Sequence, residues 1–219
     1  SGLAASLHQL GMIEQDQGNY DEAKQLYSES LTIERRLGNQ SAIAASLHQL
    51  GIMEKDRGNH NEAKQLYNQS LEIERKLGAQ SGIAKTLRQL GMIEQDQGNY
   101  GEASRLHNEA LQTFRKLGDQ QGIAATLQGL GMMEQDQSNY VEARRLYNES
   151  LGIRRRLGDH SGVAATLGML GRLAEALNDF SGAEKYYGEA LGIFEELRDK
   201  QLIELARKDL DLVRQLKKR

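Results

Sequence analysis

His8 and His48 stand 40 residues apart, and Arg88, Gln128 and Gly168 continue the row at the same spacing. Two imidazoles held side by side could ligate a metal ion or change charge near neutral pH. The chain has no Cys, and no third His stands in register with this pair, so the row is expected to serve as the polar lining of a groove. No nucleophile with a neighbouring base, no phosphate-binding loop and no metal-ligand cluster emerges elsewhere. Neither a catalytic residue nor a cofactor is therefore assigned.

Three further rows share the period. Gln9, Gln49 and Gln89 form one, Met12, Ile52, Met92 and Met132 a second, and Asp16, Asp56, Asp96 and Asp136 a third. On a helical wheel the Met/Ile row lies about 140° from the centre of the apolar face, where water is expected. A repeated apolar residue on that side suits contact with a partner, and Met adapts to irregular apolar surfaces because it is unbranched and polarizable. Packing between successive helices is the alternative use of the same row. The Asp row falls near helix C-termini, where an anion costs roughly 0.3–1 kcal/mol. Either a ligand or pairing with residues such as Lys55 and Arg57 would account for its repetition. Together with His8, His48, Lys85, Arg88 and Gln128, these rows form the candidate partner-binding set.

The elements that must position them follow from the same period. Leu7, Leu10, Gly11, Ala23 and Leu31 recur without insertion or deletion through residue 200, giving copies at 1–40, 41–80, 81–120, 121–160 and 161–200. A fixed period marks a supersecondary unit that buries its apolar face only by stacking on its neighbours. Leu3 to Gln17 predicts a helix A with Leu3, Ala4, Leu7, Leu10, Gly11 and Glu14 toward the core. Gly18 ends it, and Asn19 with Glu22 has the spacing of a capping box that starts a helix B. That pair returns as Asn59 with Glu62, Asn99 with Glu102 and Asn139 with Glu142, then weakens to Asp179 with Gly182. Helix B is expected to bury Tyr20, Ala23, Leu26, Tyr27, Ser30, Leu31, Ile33 and Leu37 before Gly38. Asn39, Asp119, Asp159 and Asp199 are placed to cap the next helix A. Gly11 opposite Ala23 would let the pair approach closely, and loops of a few residues make A and B antiparallel neighbours. Residues 201–219 carry Leu202, Leu205, Ala206, Leu210, Val213 and Leu216 at helical spacing, which suits a C-terminal capping helix.

Leu7, Leu10-Gly11, Gly18, Tyr20, Ala23, Tyr27 and Leu31 resemble the tetratricopeptide repeat signature, with Leu7 in place of the usual Trp. Glu14 stands where that family commonly has Tyr, and Arg35 where it has Pro. The longer unit is similar to the extended repeats of kinesin light chain, spindle-orientation scaffolds and the sensor regions of bacterial signalling NTPases, and the phrase from Gly91 to Tyr100 most resembles the bacterial sensors. The resemblance implies an all-α fold, a right-handed α-solenoid of five antiparallel helix hairpins plus the capping helix. It also implies a concave groove lined by helix A. The family's chaperone-tail clamp uses basic and Asn side chains at positions matching His8, Met12, His48, Gln49, Lys85 and Gln89. Only Lys85 fits, which disfavours capture of a C-terminal carboxylate.

Glu14, Glu54, Glu94 and Glu134 project toward the core. Folding the hairpin at Gly18 leaves Arg35 about 20 Å away along the axis at 1.5 Å per residue, so a Tyr hydroxyl or the start of helix B is the expected partner. The basic clusters at Arg35-Arg36, Arg75-Lys76, Arg115-Lys116 and Arg154 to Arg156 complement the end of helix B. The net charge of −3 gives no electrostatic case for nucleic acid or an anionic membrane, and no apolar run is long enough to cross a bilayer. Ser1-Gly2-Leu3 matches Ser41-Ala42-Ile43, so the sequence is expected to be a fragment of a longer array. The absence of Cys suits a reducing cytoplasm, the expected compartment.

The expected function is a non-catalytic scaffold, an adaptor or sensor segment whose helix-A groove receives a protein or peptide with apolar anchors. The alternative is a structural module whose chains stack end to end into superhelical assemblies.

Overall fold

The structure, a computed structural model, describes residues 2–218. Among them eleven helices follow one another and no strand occurs. These are α1 (Gly2–Asp16), α2 (Tyr20–Leu37), α3 (Gln40–Asp56), α4 (His60–Leu77), α5 (Gln80–Asp96), α6 (Tyr100–Leu117), α7 (Gln120–Asp136), α8 (Tyr140–Leu157), α9 (His160–Ala176), α10 (Phe180–Leu197) and α11 (Lys200–Leu216). The chain forms two compact units, Ser1–Thr113 and Phe114–Arg219.

In the first unit α1 pairs with α2 and α3 with α4, while α2 packs on α3 and α4 on α5. Antiparallel pairing is fixed by a repeated bond. The Ser30 hydroxyl donates to the Ala4 carbonyl at 2.8 Å and the Ser70 hydroxyl to the Ala44 carbonyl at 2.8 Å. Ala23, Tyr27, Leu31, Ile43, Leu47, Leu50 and Met53 form one buried cluster. In the second unit α7 pairs with α8, α9 with α10, and α10 also with α11. Tyr147, Leu151, Val163, Leu167, Leu170 and Phe194 lie in its core, and Ala206 of α11 joins them.

The nearest neighbour of the glycine in each Leu-Gly pair is an aromatic ring of helix B, not the alanine expected there. A Cβ on Gly51 would lie 2.7 Å from the Tyr67 ring, and one on Gly131 2.6 Å from Tyr147. The missing side chain therefore seats a ring between the helices. In the third copy that ring is His107, 3.0 Å from a Cβ on Gly91.

Helix A buries more than one stripe, because in α3 and α9 helix B of the same hairpin and helix B of the preceding one cover two sides. Hence Met53, Ile93, Met133 and Leu173 are at most 2% exposed, as are Ser46, Thr86, Thr126 and Thr166. On α1, which no preceding helix covers in this structure, the equivalent Ile13 is 49% exposed. Leu37, expected in the core, is 55% exposed because it closes α2 at the turn, beyond the facing helices. Tyr20 is likewise exposed, and Leu26 and Ile33 are only half-buried.

The capping expectations divide. Asp119, Asp159 and Asp199 accept from the N–H three residues on at 2.8–3.1 Å, and Asn39 does so at 3.3 Å. Ala79, at the same place before α5, has no side chain to offer. The capping boxes at Asn19, Asn59 and Asn139 do not form. Those amides donate to Glu14, Glu54 and Glu134 at 2.6–2.9 Å, and Asn99 donates to Glu94 at 2.8 Å. A carboxylate facing the turn outcompetes a neutral backbone donor for the side chain. At the start of α10, Asp179 lacks such a partner because Ala174 replaces the Glu, and it accepts from Gly182 N–H at 2.9 Å.

Candidate functional site

The helix-A glutamates are joined from two sides. Each holds the Asn that opens its own helix B, as expected, and in the first unit a Lys of the preceding helix B reaches across. Lys24 Nζ lies 2.7 Å from Glu54 Oε1, and Lys64 pairs with Glu94. Burial pushes these carboxyls up, but the Lys and Asn contacts prevail and hold both below the usual range. The distant arginines bond elsewhere. Arg75 lies 3.7 Å from Glu109 and Arg115 3.4 Å from Glu149, while Arg155 pairs with Glu189, each link joining successive B helices.

With the helices so registered, α1, α3 and α5 carry the candidate residues of the first unit. His8 Nδ1 lies 3.5 Å from the Ser46 hydroxyl, and His48 Nδ1 lies 2.9 Å from that of Thr86. The two rings stack not on each other but near Tyr27 and Tyr67, at centroid distances of 5.2 and 5.4 Å. Burial lowers the His48 pKa to about 4, with Arg88, Lys85 and Lys55 adding in the same sense. Such an imidazole is neutral at pH 7. No group of three or more metal-ligating side chains occurs among the described residues.

Gln9 is exposed and Gln49 half-buried, and the Tyr27 hydroxyl donates to Gln15 Oε1 at 3.0 Å. Gln89, expected to line the groove, is instead 7% exposed and accepts from Lys55 Nζ at 3.2 Å. Lys85 is exposed, and Arg88 reaches Met92 Sδ at 3.7 Å. The apolar row is less open than its wheel position implies. Met12 is 37% exposed at the uncovered end, whereas Ile52 and Met92 are half-buried. Asp16, Asp56 and Asp96 remain exposed. Lys55 lies 3.7 Å from Asp56, but Arg57 bonds Asp21 at 2.9 Å. A cavity of about 280 Å³ opens between α1 and α3, lined by Ala5, His8, Gln9, Ala45 and Ser46 over Ser30 and Glu34.

In the second unit Gln128 donates to Met169 Sδ at 3.1 Å and accepts from Arg154 at 2.9 Å. Met132 packs on the buried cluster, and Asp136 is exposed. A second cavity, of about 230 Å³, lies among α9, α10 and α11.

One inward row went unread in the sequence. Glu34 and Glu74 are 4% and 7% exposed, and at the same helix-B position the second unit has Phe114, the half-buried Arg154 and Phe194. Burial raises the Glu74 carboxyl, with the neighbouring Thr86, Ser70 and Lys85 acting in the opposite sense. The signal was present, since this position changes character from copy to copy while Ala23 and Leu31 do not.

Alternating helices whose glycines seat aromatic rings define a helical-hairpin repeat protein. The tetratricopeptide repeat profile matches residues 2–76, 82–156 and 122–196, and the chain belongs to that family. No individual curated protein matches it by sequence. Among solved structures it is similar to BtubC (BKLC) from P. vanneervenii, with TM-score 0.75, 23% identity, and coverage of 90% of this chain and 82% of that one. A Rap protein complexed with Competence and Sporulation Factor is similar at TM-score 0.84 and 16% identity, covering 96% of this chain and 61% of that one. A signal transduction ATPase with numerous domains and a tetratricopeptide repeat sensor, from Pyrococcus horikoshii, is similar at TM-score 0.78 and 18% identity. There the match covers 96% of this chain but 32% of that one. At these identities the likeness is one of fold. No helix among the described residues is long and apolar enough to cross a membrane.

Proposed function

We propose that residues 1–200 act as five repeats, closed by residues 201–219, in a non-catalytic scaffold that receives a protein or peptide segment on its helix-A face. The carrying observation is a cavity between α1 and α3 where His8 and Gln9 face Ala45 and Ser46, and whose walls, Ala5 and Ala45, are too small to block an approaching chain. A Rap protein in complex with Competence and Sporulation Factor and an ATPase with a tetratricopeptide repeat sensor support a role as the sensor or adaptor part of a larger protein. Panning a phage-displayed peptide library on the chain tests this. Enriched peptides should lose at least about tenfold in affinity on Ala45→Glu or Ala165→Glu, both at exposed positions, with helix content unchanged. Equal binding to both variants, or no enrichment, sinks the reading.

End-to-end stacking is favoured by one observation, the uncovered face of α1, where Leu3 is 64% and Leu10 48% exposed. Against it, α11 carries Arg207 and Asp211 at the places where α3 has Leu47 and Gly51. Light scattering over a concentration series separates the two, since a constant monomer mass removes self-stacking.

A further inference from the structure

Three members of the row that begins at His8 bridge one helix A to the next. His8 reaches Ser46, His48 reaches Thr86, and Gln128 reaches Met169. In the fifth copy the residue is Gly168, and a Cβ built there meets no atom within 4 Å. Glycine in mid-helix costs stability relative to any side chain the site can hold. Three residues on, Gly171 has a packing reason, because its Cβ would lie 2.5 Å from the Tyr187 ring. Gly168 has none of that kind. What its missing side chain leaves is the cavity of about 230 Å³ among α9, α10 and α11.

The lining of this cavity is mainly apolar. Met169, Phe194, Leu202, Leu205 and Ala165 line it, and Leu205 is 55% exposed. Ser161, Arg172 and Asp209 stand around it as the polar members. An apolar cavity of roughly 150 Å³ already holds a benzene ring, so this one has room for one Leu, Met or Phe side chain and not for a packed helix face. A mainly apolar lining with a few polar side chains is the pattern of a pocket that anchors one residue while donors and acceptors meet the backbone around that residue.

We propose that this cavity is an anchor pocket for a single apolar side chain, Leu, Met or Phe, of the peptide segment received on the helix-A face, and that Gly168 is the residue that opens it. The proposal rests on the groove reading above.

The chain has no Cys, so Ser161→Cys places one thiol at the pocket. Under reversible exchange it is offered disulfides bearing benzyl or isobutyl groups against others bearing carboxyethyl or hydroxyethyl groups. Burial of one apolar group predicts about tenfold preference for the first pair. Adding Gly168→Gln, the residue of the fourth copy, starts a side chain where a Cβ meets no atom within 4 Å, so thermal stability should be kept while the preference falls to about unity. Equal capture of all four groups, or a preference that survives Gly168→Gln, overturns the proposal. So does a concentration-dependent dimer that Gly168→Gln abolishes, since the occupant would then be a second copy. The two readings fail separately. Peptides that bind in an Ala45-sensitive way beside a thiol without preference leave the groove and remove the pocket. A selective thiol with no enriched peptide removes the groove reading.

Discussion

Acid should loosen the first unit through His48 and His107. His107 is fully buried against Gly91, neither ring nitrogen has a hydrogen-bond partner, and burial, with Arg88 beside it, lowers its pKa to about 4. His48 is lowered to about 4 as well, by burial first and then by Arg88, Lys85 and Lys55. An unfolded imidazole titrates near 6.5, so between that pH and 4 the unfolded chain binds protons that the folded chain refuses. Stability from each group is thus complete above pH 6.5 and lost as pH falls toward 4. From pH 7.5 to 5 the difference amounts to about 2 kcal/mol per histidine, a large part of a domain's margin. Urea unfolding followed by circular dichroism at the two pH values, with hydrogen exchange to assign the loss to residues 2–113, measures it. His107→Tyr, the aromatic found at positions 27, 67, 147 and 187, should remove about 2 kcal/mol of the pH dependence, and His48→Gln a similar amount. The comparison is between variants because Glu74, whose carboxyl is raised, contributes in the opposite sense. A pH dependence identical in the wild type and both variants would refute the reasoning.

Ala79→Asp should stabilise the chain by about 1 kcal/mol in urea unfolding, because it supplies α5 with the cap that Asp119 gives α7. Gly51→Ala should destabilise by about 1–3 kcal/mol, since the Tyr67 ring at 2.7 Å is fully buried and has little room to move. Gly168→Ala, with no atom in reach, should raise the melting temperature instead. Lys64→Met should cost about 1 kcal/mol at pH 7, leaving the buried Glu94 with Asn99, and the cost should shrink as pH falls through the carboxylate range; a pH-independent cost would count against the ion pair.

Much of the fold could be read from particular residues. Gly38, Gly78 and Gly158 end helices in the left-handed region, as their spacing requires. The position after α9 holds Asn178 at φ 56° and that after α10 Arg198 at φ 59°, so the turn persists where glycine does not mark it. Asp119 and Asp159 cap as expected because nothing competes for their side chains. Asn19 does not, and the competitor, Glu14, is five residues back across the turn, where a local window misses it. The candidate rows were legible as rows. Their exposure was not, because a helical wheel assumes one buried face and these helices have two covered sides. That is why Gln89 and most of the Met/Ile row withdraw from water.

The sequence by itself determined the period, the hairpins and the residues that terminate each helix, since these depend on contacts within a few turns of chain. Only the tertiary structure decided which ring each glycine seats, which glutamate each lysine reaches, and where an absent side chain leaves space. Those outcomes depend on the register of one hairpin against the next, which no single copy encodes.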